Sequence, residues 1–251
     1  MKIRRMGLIG GAIGSILGLA LSTTAMAADG DAARDSFLPG TFTGNVALTS
    51  DYVFRGYSQS WNNPAIQGGV DWDTGAGFHF GLWGSSVNFK DVTAGPLETD
   101  LYGGYAGKLG DRFSYDVGFI YYWYPGAAKA LNYDLWEVYG KAGYDFGPAA
   151  VNVGVNYSPD NFGATGTAVY YTAGLTVPVT TKLSISGGLG YWDLAAPIAN
   201  DWDWNVGAKL NVNNWFNVDA RYYDTNIKGD CPLVGKKTCG AKGVVTLSRS
   251  F

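Results

Sequence analysis

One histidine, two cysteines and a few close-set carboxylates are the residues of this chain best suited to chemistry. His79 is the sole histidine. Beside a serine it would serve acyl transfer, by taking the hydroxyl proton as the oxygen attacks. Two positions on, however, stands Gly81, and His79 opens its segment next to a short turn. A serine from another segment could still approach it, but a plain packing role is the simpler reading. Asp134, Asp160, Asp193 and Asp201 would suit acid–base hydrolysis if they converged, yet no histidine accompanies them. Asp71 and Asp73 share one face of an extended run, so both could meet a hard cation such as Ca²⁺. Two ligands do not define a site, and ordinary polarity accounts for them. The residues therefore predict no catalytic group, no metal and no cofactor. Cys231 and Cys239 flank Pro-Leu-Val-Gly-Lys-Lys-Thr and have no other cysteine to pair with. In an oxidising compartment they are expected to form a disulfide.

The elements that must position these residues are strands. From Thr41 onward the dominant period is two. Twelve runs follow: Thr41–Gly56, Pro64–Asp73, Phe78–Val87, Leu97–Lys108, Phe113–Tyr124, Leu135–Tyr144, Ala149–Ser158, Thr167–Val177, Lys182–Trp192, Asp201–Val212, Trp215–Tyr223 and Gly243–Phe251. In the fifth, Phe113, Tyr115, Val117, Phe119, Tyr121 and Trp123 oppose Ser114, Asp116 and Gly118. The third alone is ambiguous, because Trp83 falls out of phase with Phe78, Phe80 and Leu82. Most runs have the length a tilted strand needs to cross a bilayer core, roughly 9–11 residues. Connections after even-numbered runs are short, and those after odd-numbered runs are mostly longer, the last spanning Asp224–Lys242. That parity is the pattern of a transmembrane barrel with both termini on the periplasmic side.

Charge follows the same division. The polar faces carry Asp51, Arg55, Asp71, Asp73, Glu98, Asp100, Lys108, Asp116, Glu137, Lys141, Asp203, Lys209, Asp219 and Arg221, the expected pore-lining residues, together with Lys182. The apolar faces carry Arg249 alone, two residues from the end. A basic residue facing lipid at mid-membrane costs about 2–4 kcal/mol, so an apolar outside demands this segregation. A soluble sandwich would alternate equally well with its apolar rows packed inside, but it has no reason to obey the loop parity. Aromatics sort into two girdles: Phe42, Trp72, Phe78, Phe113, Tyr144, Phe216 and Phe251 toward the short turns, and Trp123, Tyr157, Tyr171, Tyr191, Trp202 and Tyr222 toward the long loops. The inward aromatics Tyr102, Tyr122, Tyr170 and Trp192 either stack against a passing solute or fill the barrel, and filling is the simpler reading. Arg55 could pair with a neighbouring carboxylate and narrow the path.

Residues 1–27 read as a secretory signal. Lys2, Arg4 and Arg5 precede an apolar stretch broken by glycines, and Ala25-Met26-Ala27 supplies a cleavage site. Its removal would take three positive charges away, so the net charge of −3 becomes −6. Residues 28–40 are expected to be a short periplasmic segment and 41–251 the barrel. An acidic chain does not suit nucleic acid. Aromatic residues at 15% beside charged residues at only 16% are also unusual for a soluble enzyme, where charged residues reach about a quarter. No apolar run after Ala28 is long enough for a transmembrane helix.

The segment Asn45-Val-Ala-Leu-Thr-Ser-Asp-Tyr-Val-Phe-Arg-Gly-Tyr-Ser-Gln-Ser60, followed by Pro64 and Gln67-Gly-Gly-Val-Asp71, resembles the opening of a proteobacterial porin family of TorF type, earlier catalogued as an exported domain of unknown function. The resemblance covers most of the mature chain. It implies an outer-membrane barrel with a channel role and no established substrate. Phe251, with Leu247 and Val245 in phase, looks like a signal for the barrel assembly machinery, although Arg249 departs from that pattern. The expected partners are outer-membrane lipid, lipopolysaccharide and small solutes. The leading function is passive diffusion of small hydrophilic solutes or ions through a mixed-charge lumen. The alternative is a non-conducting structural or adhesive barrel acting through its extracellular loops.

Overall fold

A computed structural model describes residues 38–251 except 92, 214 and 234. The expected leader, 1–27, and most of the expected periplasmic segment lie outside the described residues. The strands of the main sheet are β1 Thr41–Thr49, β2 Ala65–Asp73, β3 Phe78–Ser86, β4 Leu97–Leu109, β5 Phe113–Trp123, β6 Leu135–Asp145, β7 Ala150–Ser158, β8 Ala168–Pro178, β9 Leu183–Leu194, β10 Asp201–Val212, β11 Phe216–Thr225 and β12 Lys242–Ser250. Each pairs antiparallel with its neighbours in sequence, and β1 closes the ring against β12. Leu48 faces Leu247 across the closing seam, and Phe251 exchanges two backbone hydrogen bonds with Gly44, at 2.7 and 3.0 Å. No sheet edge is left, so the backbone of every strand finds its partners within the sheet.

The alternation sets which face is which. Val117 and Phe119 of β5 are 52% and 44% exposed, and Leu82, Leu101, Val153, Ile185 and Val206 point outward with them. Glu98, Asp100, Asp116, Glu137, Asp203 and Arg221 are buried inside. A soluble sandwich would have the reverse arrangement. Trp83 belongs to the inner row, where it faces Tyr52 with ring centroids 5.5 Å apart.

Eleven of the runs match the strands to within one or two residues at either end. The first does not. Thr41–Gly56 was expected as one strand, but β1 ends at Thr49. The chain then turns into the barrel and forms a small hairpin, Val53–Phe54 against Tyr57–Ser58. Asp51 and Arg55 therefore do not line the wall as residues of a strand; they belong to this infolded segment.

Candidate functional site

The segment Ser50–Asn63 fills the barrel at its long-loop end. Its aromatic residues seat it: Phe54 packs against Tyr122 and Trp192 at 5.9 and 6.3 Å, and Tyr57 packs against Trp192 at 5.8 Å. Its polar atoms are matched to the wall. Tyr52 Oη donates to Glu98 Oε1 at 2.8 Å, and Tyr57 Oη donates to Asp201 Oδ2. Burial, reinforced by Glu98 in one case and Asp201 in the other, holds both phenols well above the ordinary tyrosine range, so they remain donors. Asp51 accepts from Ser58 and Ser60 within the segment, and Lys242 Nζ stands 3.6 Å from its other oxygen.

Arg55 sits at the tip. Its Nη2 lies 2.6 Å from Glu137 Oε2, with both side chains 1% exposed. The same carboxylate oxygen accepts from Tyr122 Oη at 3.1 Å and Asn156 Nδ2 at 2.9 Å. The guanidinium carbon stands 4.6, 4.4 and 4.9 Å from the ring centres of Phe54, Tyr170 and Trp192, within cation–π range. Burial alone would lower the pKa of this guanidinium. Glu137 outweighs it, with help from Tyr122 and Tyr170, and the net shift is upward. The pairing expected of Arg55 is thus present, on an element the sequence pattern did not reveal.

Toward the short turns the lumen is more balanced. Arg221 donates twice to Asp219, at 3.1 Å each, and also to Asn205 at 2.6 Å and Ser186 at 2.8 Å. Lys141 Nζ lies 4.4 Å over the Tyr139 ring, and Lys209 is half-buried. Asp71 accepts from Tyr102 Oη at 2.5 Å, whereas Asp73 is exposed and caps the turn at the Gly75 amide, 2.8 Å away. Asp71 and Asp73 are therefore engaged separately, and among the described residues no group of three or more metal-type side chains converges. Lys108 and Lys182 stand exposed at the short-turn end. His79 Nε2 contacts Asp116 Oδ1 at 3.0 Å, which gives it a carboxylate partner inside the barrel. The four inward aromatics are all buried, and Tyr102, Tyr122 and Tyr170 each donate to a carboxylate. Cys231 and Cys239 are joined, with Cα atoms 5.8 Å apart. The loop they close lies over the infolded segment, where Ser58 N donates to Thr238 O at 2.7 Å.

Sequence reading missed Tyr52, Tyr57, Trp83 and Asp201 as members of this site. Asp201 was counted among the carboxylates of the long-loop end, yet it is 1% exposed. An available signal was length: a run of sixteen residues, Thr41–Gly56, exceeds the roughly 9–11 residues of a membrane-crossing strand.

A family described as "Bacterial protein of unknown function (Gcw_chp)" matches residues 32–251. The chain belongs to this family. No curated protein matches it. Among solved structures, the Gcw_chp chain is similar to a KdgM porin, with TM-score 0.59, 10% identity, and coverage of 83% of this chain and 99% of that one. A KdgM porin in complex with disordered oligogalacturonate gives TM-score 0.58, 10% identity and coverage of 84% and 99%. A NanC porin gives TM-score 0.55, 9% identity and coverage of 83% and 98%. At such identities the likeness shows the fold, and the fold is theirs: a closed antiparallel barrel nearly free of helix.

Proposed function

We propose that this Gcw_chp protein is an outer-membrane channel for small hydrophilic solutes or ions, narrowed in the state described by its Ser50–Asn63 segment. One observation carries the reading: an apolar exterior surrounds a closed sheet whose buried inner face holds the charges. In hydrocarbon that exterior is favourable and the closed sheet leaves no unpaired backbone group, whereas in water both advantages disappear. The similarity to porin structures and the TorF-type resemblance support the same reading. The mixed set of wall residues from Asp71 to Arg221 would line the path. The signal at 1–27 would direct export. Short turns and both termini would face the periplasm, and Phe251 would engage the assembly machinery. Lipid and lipopolysaccharide would be the surrounding partners.

Selectivity follows from charge. Rings of carboxylates favour cations, and here acids outnumber bases on the inner face. A polyanion such as the oligogalacturonate bound to the KdgM porin would need a more basic wall. The experiment is a planar bilayer with purified protein: discrete current steps and a reversal potential shifted weakly toward cations are expected. A strong anion preference would overturn the selectivity. Absence of steps, including after deletion of residues 51–62, would favour the second reading, a non-conducting envelope barrel. That second reading has its own support in the depth to which the infolded segment fills the lumen.

A further inference from the structure

The Phe54-Arg55-Gly56-Tyr57 turn places a bulky residue where the backbone disfavours one. Arg55 has φ +48° and Gly56 φ +82°, the pattern of a two-residue hairpin turn that ordinarily takes Asn-Gly or Gly-Gly. Gly56 is required: a β-carbon there would stand 2.4 Å from Thr225 Cγ2 and 2.9 Å from Asp203 Cβ. Arginine is not required by the turn, so its presence calls for an account in the surroundings. Those surroundings belong mainly to the wall. Tyr170 of β8, Trp192 of β9, Glu137 and Tyr122 of β6 and β5, and Asn156 of β7 form a box of rings and a carboxylate around the guanidinium.

We infer that this box is a binding site for small guanidinium-bearing solutes, and that Arg55 occupies it as a built-in stand-in when no solute is present. Three observations support the assignment. The box matches a planar cation, which can lie on ring faces while its edge meets a carboxylate; a compact ammonium exploits only part of that geometry. Arg55 fills it imperfectly, because its buried Nε has no hydrogen-bond acceptor. The layer also remains acidic once Arg55 leaves: Glu98, Asp100, Glu137, Asp201 and Asp203 are all buried there, and both oxygens of the fully buried Asp100 lack a hydrogen-bond partner. A neutral or anionic occupant would leave this layer, where tyrosine and asparagine donors already serve four of the five carboxylates, without a counter-charge. The transport consequence, that such solutes displace Arg55 and enter the path, rests on the channel reading; the binding site itself does not.

The test uses Arg55→Ala in the full-length barrel, titrated calorimetrically with N-propylguanidinium. Arg55→Gly, which the positive φ at this position also suits, gives the same vacancy should the alanine variant fail to insert. Saturable binding is expected, weaker by about tenfold or more for propylammonium and for Arg55→Ala combined with Glu137→Gln. Lack of saturable binding to either vacant variant would overturn the site, and equal binding of propylammonium would overturn the guanidinium assignment. Binding that persists without current in a bilayer would remove the channel reading and leave the site standing; current without binding would do the opposite.

Discussion

Glu137→Gln isolates the interaction that holds the infolded segment in place. The substitution keeps the shape of the side chain and an amide oxygen able to accept from Tyr122 and Asn156, but it leaves Arg55 charged and 1% exposed without the carboxylate it is paired with. Removing one partner of a buried ion pair costs about 3–5 kcal/mol. At about 1.4 kcal/mol per tenfold, that shifts the balance between docked and withdrawn segment by roughly two to three and a half orders of magnitude. The barrel itself should survive, because the twelve strands pair with one another and not with the segment. The assay is thiol labelling of Gln59→Cys in vesicle-inserted protein, whose other cysteines are tied in the disulfide. Gln59 is 5% exposed, and its side chain donates only to Tyr57 O in its own segment. Where reclosing is fast, the labelling rate follows the withdrawn population. The rate should therefore rise about a hundredfold or more with Glu137→Gln, up to saturation. Arg55→Met combined with Glu137→Gln should recover a large part of the protection, since no buried charge is then left alone. A rate within about threefold of the parent would refute the claim that this pair seats the segment.

Three further outcomes follow from the same structure. Replacing Cys231 and Cys239 with serine frees a nine-residue loop, at an expected cost of about 2–3 kcal/mol to the ordered loop; trypsin cleavage after exposed Lys237 should accelerate while the strands stay intact, and unchanged proteolysis would contradict it. Val117→Lys puts a charge on the outer face midway along β5 and should lower folding stability in lipid by about 2–4 kcal/mol, whereas Leu109→Lys at the end of β4 should cost about 1 kcal/mol or less. Equal costs in urea titrations would count against a lipid-facing exterior. The loop carboxyl of Asp91 is held below its ordinary range by the Thr93 hydroxyl and amide, so its contribution to the turn is present above the unfolded aspartate value and disappears as pH falls through the lower folded one. Faster Thr93 amide opening, selectively in acid, should report it.

The strands were legible because a barrel with one oily and one charged face writes its pattern into every second residue. Phe113 to Trp123 shows this most plainly, and loop parity did the rest. The infolded hairpin was hidden by that same rule. Val53–Phe54 and Tyr57–Ser58 are extended too, so Ser50–Gly56 continues the alternation of β1 without a break. Period alone does not say whether an extended residue belongs to the wall or to something the wall encloses. The ion pairs were partly readable as composition, since Arg55 and Glu137 were both placed on polar faces. Their partnership was not, because it joins residues 82 positions apart through a loop that leaves the sheet. Asp201 does stand at the long-loop end, but its burial was hidden for the same reason: Tyr57, which bonds it, arrives from that loop.

A filled lumen and a conducting one are compatible if the filling and the wall are separate cooperative units. The wall is held by backbone hydrogen bonds that close on themselves around the ring. The segment is tied to the rest by few backbone bonds, notably Ser58 N to Thr238 O and Asn88 N to Gln59 O. Its other attachments are side-chain contacts, the buried polar ones including Tyr52 to Glu98, Arg55 to Glu137 and Tyr57 to Asp201. Water and ions compete for each of these polar contacts, whereas they do not compete for strand pairing inside a membrane. The segment is therefore the lower-stability unit and opens first. Its strained tip at Arg55 pushes in the same direction, and the acidic layer it leaves behind favours a cation in its place.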